Sequence, residues 1–297
     1  MFGAAAYIMW GAFPLYFPLM EPAGAWEILG HRIVWSLVVA GALVLIVGRR
    51  QQVAAILRDR RKLMLLTAAA AVISINWVTY IWGVNNGRIV ETSLGYFTNP
   101  LVTMLMGVII LRERMRRLQW VALGIAFVAT VVLTVDYGRL PWVALILAFS
   151  FGTYGLLKKS AGVGPFESLA VETAVTAPFA LALIIALQAT GNGTLFGHGA
   201  FHVLLLISLG IITVVPLACF GAAAIRVPMV TIGLLQYLAP ILQFAVGVFI
   251  AHEAMPPGRW AGFAIVWIAL VIFSAEAIHH RRKVLRTLVT PPSTTTV

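Results

Sequence analysis

Apolar runs of about twenty residues, separated by short polar connections, cover most of this chain: 3–20, 25–48, 63–86, 90–111, 118–136, 141–158, 165–187, 201–225, 229–251 and 259–278. A hydrocarbon layer about 30 Å thick takes about 20 helical residues to cross. The pattern therefore predicts ten membrane-spanning helices. Pro14, Pro18, Pro100, Pro178, Pro216 and Pro240 fall inside these runs and predict local irregularity. Only 49–62 forms a substantial polar connection, read as a basic loop, while 287–297 (TLVTPPSTTTV) is Pro/Thr-rich and expected to be disordered. No cleavable leader is apparent, because apolar sequence starts at Met1, so the first run is read as a retained span.

The pattern repeats. Pro100, Gly107, Glu113, Met115 and Trp120 recur 140 residues later as Pro240, Gly247, Glu253, Met255 and Trp260, and 12 of 42 positions are identical between 90–131 and 230–271. Such a long period is not a solenoid unit. It divides the chain into a first five-span repeat, 1–138, a second, 139–280, and a basic tail, 281–297.

Composition fixes the solvent. The chain is 61% hydrophobic and 10% charged, with mean hydropathy +0.97, against about 25% charged residues in soluble domains. Lipid must surround most of it. The single cysteine, Cys219, excludes an internal disulfide framework. The net charge of +11 could suggest nucleic acid, but the basic residues lie in the connections and report orientation instead. With ten spans, 17 Lys and Arg fall on one side, three (Arg88, Arg139, Arg259) on the other, and only Arg32 inside a span. The 17-residue side is expected to be cytoplasmic, with both termini. Five spans are an odd number, so the second repeat should be inverted relative to the first. Inverted repeats supply two packings of similar energy, one open to each side, with a site near the midplane.

Polar groups within spans are costly unless they meet a partner or a cavity, so they are the candidate solute-binding residues: Asn76, Trp77, Tyr80, Asn85, Asn86, Ser93, Tyr96, Asn99, Ser150, Tyr154, Gln236, Tyr237 and Gln243. Asn76 and Tyr80 share a helical face by i, i+4 spacing. Aromatic faces with a few amides suit a flat, amphipathic or cationic organic solute. Bonding between helices and interfacial anchoring are the alternative roles. Pro100 and Pro240, at equivalent positions, are expected to kink their helices and free the carbonyls of Tyr96 and Gln236. Glu27, His31, Arg32 and Glu172 are candidates for a gate, a proton relay or ion pairs. Glu27 and His31 are i, i+4 neighbours, and Arg32 and Glu172 are 140 residues apart and could pair across the halves. No nucleotide-binding loop, H-E-x-x-H motif or nucleophile elbow occurs, and no metal site or cofactor is expected.

The segments E-I-L-x-H-R (27–32), W-G-V-N-N (82–86), S-L-G-Y-F-x-N-P-L-V (93–102), R-E-R-x-R-R-x-Q-W (112–120) and L-A-F-S-F-x-x-Y-G-L (147–156) resemble the RarD branch of the EamA family in the drug/metabolite transporter superfamily. The resemblance covers nearly the whole chain, to about residue 280. It implies a ten-helix inner-membrane permease, with helices 1–4 and 6–9 around a central chamber, that moves small metabolites or amphipathic, chloramphenicol-like drugs. By that implication Ser93, Tyr96, Asn99, Pro100, Asn76, Asn85 and Asn86 are cavity-side. The expected function is secondary transport rather than enzymatic catalysis, with a coupling proton and a homodimer as further expectations. A membrane scaffold or sensor and an intramembrane enzyme are the alternatives.

Overall fold

The computed structural model describes residues 2–111, 116–224, 235 and 237–289, and among these every regular element is helical. Along the chain run α1 (Phe2–Gly11), α2 (Phe13–Tyr16), a 3-10 turn (Phe17–Met20), α3 (Ala25–Ile46), α4 (Arg50–Arg58), α5 (Arg60–Asn85), α6 (Ile89–Leu111), α7 (Arg117–Tyr137), α8 (Trp142–Ala161), α9 (Pro165–Ala189), α10 (Gly199–Ala224), α11 (Leu238–Ala245) with a π turn (Val246–Ile250), and α12 (Pro257–Val289). Six of these helices are long and apolar enough to cross a bilayer, and α1 with α2 and the 3-10 turn adds a seventh, bent by 43°, if read as one span. The bend coincides with Pro14 and Pro18, each at the start of its short helix, where a missing N–H costs little. Large apolar side chains such as Phe127, Phe179 and Ile268 point outward, as lipid allows and water does not.

The basic connection 49–62 is not a loop. It folds as α4, whose Ile56 is buried with Leu66, Ala161 and Val171. Asp59 then caps α5 by accepting the backbone N–H groups of Arg61 and Lys62, both at 3.1 Å. These bonds to the charged form hold the Asp59 carboxyl below its ordinary value. Arg49 reaches Glu167 on α9 at 2.8 Å and ties this corner together.

The packing partners position the site. α3 lies between α9 and α10, α8 contacts α5 and α6, α1 contacts α10 and α11, α5 touches α9, and α7 pairs with α12. α3 and α9 are antiparallel: Glu27 accepts from Gln188 at 3.3 Å, and Gly30 abuts Ile184 so closely that a Cβ there would stand 2.9 Å from it. At their other ends Ala40 and Val44 pack with Leu169 and Ala170. Two main cores result. One joins α2, α3, α5, α8 and α10 around Phe17, Ile28, Ile81 and Leu206; the other joins α6, α7 and α12 around Phe97, Leu133 and Phe263.

Pro240, expected to kink its helix, lies in the first turn of α11, where Ile241 N–H donates to Tyr237 O; residues 225–234 and 236 before it lie outside the described residues. Pro100 lies within α6, which is continuous from Ile89 to Leu111. The carbonyl of Gln236, the other half of that expectation, lies outside the described residues.

Candidate functional site

A ladder of rings runs through the first core. Successive centroids of Phe13, Phe17, Tyr80, Tyr96, Phe151 and Tyr154 are 5.3, 5.9, 5.5, 6.3 and 6.0 Å apart, mostly edge-to-face. At its middle, Asn76 (1% exposed) is fully engaged. Its Nδ2 donates to Leu147 O at 3.0 Å and Ser150 Oγ at 2.9 Å, and its Oδ1 accepts from Tyr96 OH at 3.3 Å. The i, i+4 face of α5 thus comes together with α6 and α8, and the Asn76 amide works as a tie between three helices.

A charged group stands near each end of the ladder. Arg32 on α3, 5% exposed, donates its Nε–H to Thr213 on α10 at 3.0 Å and lays its guanidinium over Trp77, 4.1 Å from the ring centre, and at 5.6 Å from that of Phe13. Glu172 on α9, 3% exposed, accepts from Lys158 Nζ at 2.7 Å and Tyr154 OH at 3.1 Å; Lys158 also donates to Ser168. The expected Arg32–Glu172 pair does not form. α3 and α9 run antiparallel, so Arg32 stands level with the stretch of α9 near 182–183, about 15 Å along the axis from Glu172. Lys158, one turn past Tyr154 on α8, takes the carboxylate instead.

Glu27 and His31 do not hydrogen-bond to each other either. Glu27 is taken up by the loop after α9, accepting from Thr194 N–H at 2.6 Å and Thr194 Oγ–H at 2.9 Å. Thr194 Oγ also contacts His202 Nε2 at 2.7 Å, and the His198 ring lies 5.5 Å from that of His202. His31 is buried, and its Nε2 has no partner among the described residues. Thr194 and His202 were not singled out in the sequence. His198 and His202, at i, i+4 spacing around the start of an apolar run, were the available signal.

Other candidates lie elsewhere. Asn85 and Asn86 end α5, where Asn86 Nδ2 donates to Trp82 O at 2.8 Å. Ser93 bonds within its own helix, to Val90 O at 2.8 Å. Asn99 is buried in α6. Gln243 donates to Trp10 O at 3.1 Å, joining α11 to α1. Tyr237 packs against the second core, and Gln236 lies outside the described residues. One cavity, of about 300 Å³, is not at the ladder. It is an almost wholly apolar groove between α3, α5 and α9, lined by Trp26, Leu29, Ile33, Ala71, Val175 and Phe179 among others. Among the described residues no cluster of His, Cys, Asp and Glu could hold a metal ion.

At one rim, Glu253 after the π turn accepts the first N–H groups of α6, from Ile89 and, at 3.0 Å, from Val90. Burial raises this carboxyl above its ordinary value, while those two N–H groups pull it back. Beside it Glu91 accepts from Arg139 at 2.9 Å and from Val143 N–H at 3.2 Å, which makes it a tie between α6 and the start of α8.

The EamA-like transporter family model matches residues 1–135. A protein RarD of Streptomyces exfoliatus is 54% identical, over 95% of this chain and 90% of that protein. A protein RarD of Escherichia coli is 38% identical, over 94% of each. Among solved structures, one crystal structure superposes with a TM-score of 0.61 at 18% identity, over 91% of this chain and 95% of that one, a likeness of fold alone. Lipid-compatible helices, a buried polar ladder and identity along almost the full length lead to one conclusion: the chain is a multi-pass membrane protein of the EamA-like transporter family, in its RarD branch.

Proposed function

We propose that the protein is a secondary transporter of the cytoplasmic membrane, with ten spans in two inverted repeats, which moves small organic metabolites or amphipathic, chloramphenicol-like compounds by alternating access. The observation that carries this reading is the packing pattern. Shifting each helix by 140 residues relates α1 to α8, α3 to α9, α5 to α10, α6 to α11 and α7 to α12. Under that shift the α5–α8 contact becomes α1–α10, α6–α8 becomes α1–α11, and α5–α9 becomes α3–α10, while α3–α9 and α7–α12 map onto themselves. A pseudo-two-fold axis between the halves accounts for all of these at once, and the antiparallel α3–α9 pair is what inversion requires. On this reading α1, α3, α5, α6, α8, α9, α10 and α11 surround the transport path, and the ring ladder lies along it.

The basic connections then face the cytoplasm, together with both termini. In a Cys219→Ser background, a cysteine at exposed Ala55 would be shielded from impermeant reagents in intact cells, and one at exposed Asn192 would be labelled. Flux in proteoliposomes tests the activity. Counterflow of a radiolabelled amphipath such as chloramphenicol, dependent on the protein, is the expected result. No flux of any drug or metabolite under any imposed gradient would leave a scaffold or sensor as the better reading.

A further inference from the structure

The ring ladder holds two polar groups that its own bonds leave unsatisfied. Among the described residues, the only hydrogen bond from the Arg32 guanidinium is Nε–H to Thr213, which leaves its terminal nitrogens without acceptors. No described carboxylate comes within salt-bridge distance of it; Trp77 and Phe13 supply ring faces only. The Tyr80 hydroxyl, on a residue 2% exposed, has no hydrogen-bond partner among the described residues, and Tyr80 lies three residues along α5 from Trp77, whose ring lies under the same guanidinium. A buried cation without a counter-ion is among the costliest groups a bundle can hold, and guanidinium cannot relieve that cost by losing its proton. Both groups are also donors. Asn76, Ser150 and Tyr96 close their bonds on one another and leave nothing to offer a ligand.

We propose that Arg32 and Tyr80 form an anion subsite that receives the carboxylate of a small organic acid, whose flat apolar part lies against Phe17 and Tyr96. The guanidinium fork matches a carboxylate with two parallel bonds, Tyr80 supplies a third donor, and the neighbouring rings accept a planar hydrocarbon edge-to-face. Trp77, whose ring centre is 4.1 Å from the guanidinium carbon, backs the cation with an aromatic face. This deepens the transport reading and rests on it: the solute becomes an organic anion rather than a neutral or cationic amphipath.

The test uses the full chain in nanodiscs, with ligand-induced thermal shift as readout. Benzoate and phenylacetate are compared with their methyl esters, and with chloride and inorganic phosphate at equal ionic strength. Benzoate or phenylacetate should raise the melting temperature of the wild type in a saturable way, the esters should not, and Arg32→Gln should weaken binding about tenfold or more. Tyr80→Phe removes a hydroxyl with no partner among the described residues, so it should melt like the wild type unliganded yet bind about threefold to tenfold more weakly. That variant keeps the test valid if Arg32→Gln fails to fold. Equal stabilisation by acid and ester, or Tyr80→Phe binding as tightly as wild type, would overturn the subsite. Stabilisation by chloride or phosphate alone would overturn the organic acid as its occupant. If the neutral probe is transported in proteoliposomes while the acids neither bind nor compete, the transport reading stands and this inference falls. If neither is moved or bound, both fall.

Discussion

Arg32 and Glu172 occupy equivalent positions, each seven residues past the first residue of its helix, and each is almost completely buried. Their surroundings differ sharply. Glu172 is closed in by an ammonium and a phenol, and the same ammonium also donates to Ser168. Arg32 has one hydroxyl and the faces of two rings. Both sites bury a charge, but only one neutralises it. A neutralised charge fastens helices: Glu172 pins α9 to α8. An unneutralised charge is a standing cost to the fold, and it survives where something outside the fold offsets it. The pair teaches that internal symmetry of sequence can be kept while the two positions divide into a structural role and a ligand-facing one.

The largest expected effect breaks the closed side of this comparison. Glu172→Ala strands the Lys158 ammonium beside a largely buried site and should cost about 3 kcal/mol, somewhat less than a fully buried pair because Lys158 retains some solvent. Thermal unfolding in detergent would read this, and the double variant Glu172→Gln with Lys158→Met should recover much of the loss. Additive losses would mean that the two side chains do not act as a pair. Next, Asn76→Ala removes three hydrogen bonds between α5, α6 and α8 and should destabilise by about 2 kcal/mol. Tyr96→Phe, which removes only the longest of these bonds, should cost about 0.5–1 kcal/mol by the same measurement.

Smaller still, and far from both charges, Asp59→Ala removes the cap of α5 and should lower the melting temperature only slightly. The sign of its pH dependence follows from the direction of the shift. The folded-state pKa is lowered, so the stabilisation is present above the ordinary aspartate value near 3.9 and fades as pH falls through the lowered folded value. The difference in stability between wild type and Asp59→Ala should therefore be flat near neutrality and shrink in acid. A difference that grows on acidification would contradict the capping role.

Much of the architecture was legible because lipid imposes a simple rule. An apolar run must be helical to satisfy its backbone, and each of the ten runs overlaps a helical element among the described residues. The amphipathic α4 escaped notice because nine residues of RQQVAAILR carry only two turns of pattern among many charges, and its stability comes from Ile56 docking on a distant helix. At the site, Asn76 with Tyr80 was readable from i, i+4 spacing alone. The Arg32–Glu172 pairing was misread because a repeat reports which positions are equivalent, and in antiparallel helices equivalent positions near the starts lie far apart. Tyr154 and Lys158, four residues apart on α8, were the better guide to the partner of Glu172.

The most direct test sets the two buried charges side by side. Arg32→Gln and Glu172→Gln would be purified, their melting temperatures measured without ligand, and solute flux into proteoliposomes measured at equal protein density. The account predicts that Arg32→Gln melts close to wild type and loses flux, while Glu172→Gln melts well below wild type and loses flux only as far as folded protein is lost. A strongly destabilised Arg32→Gln that transports normally once folded, with Glu172→Gln stable and inactive, would contradict it.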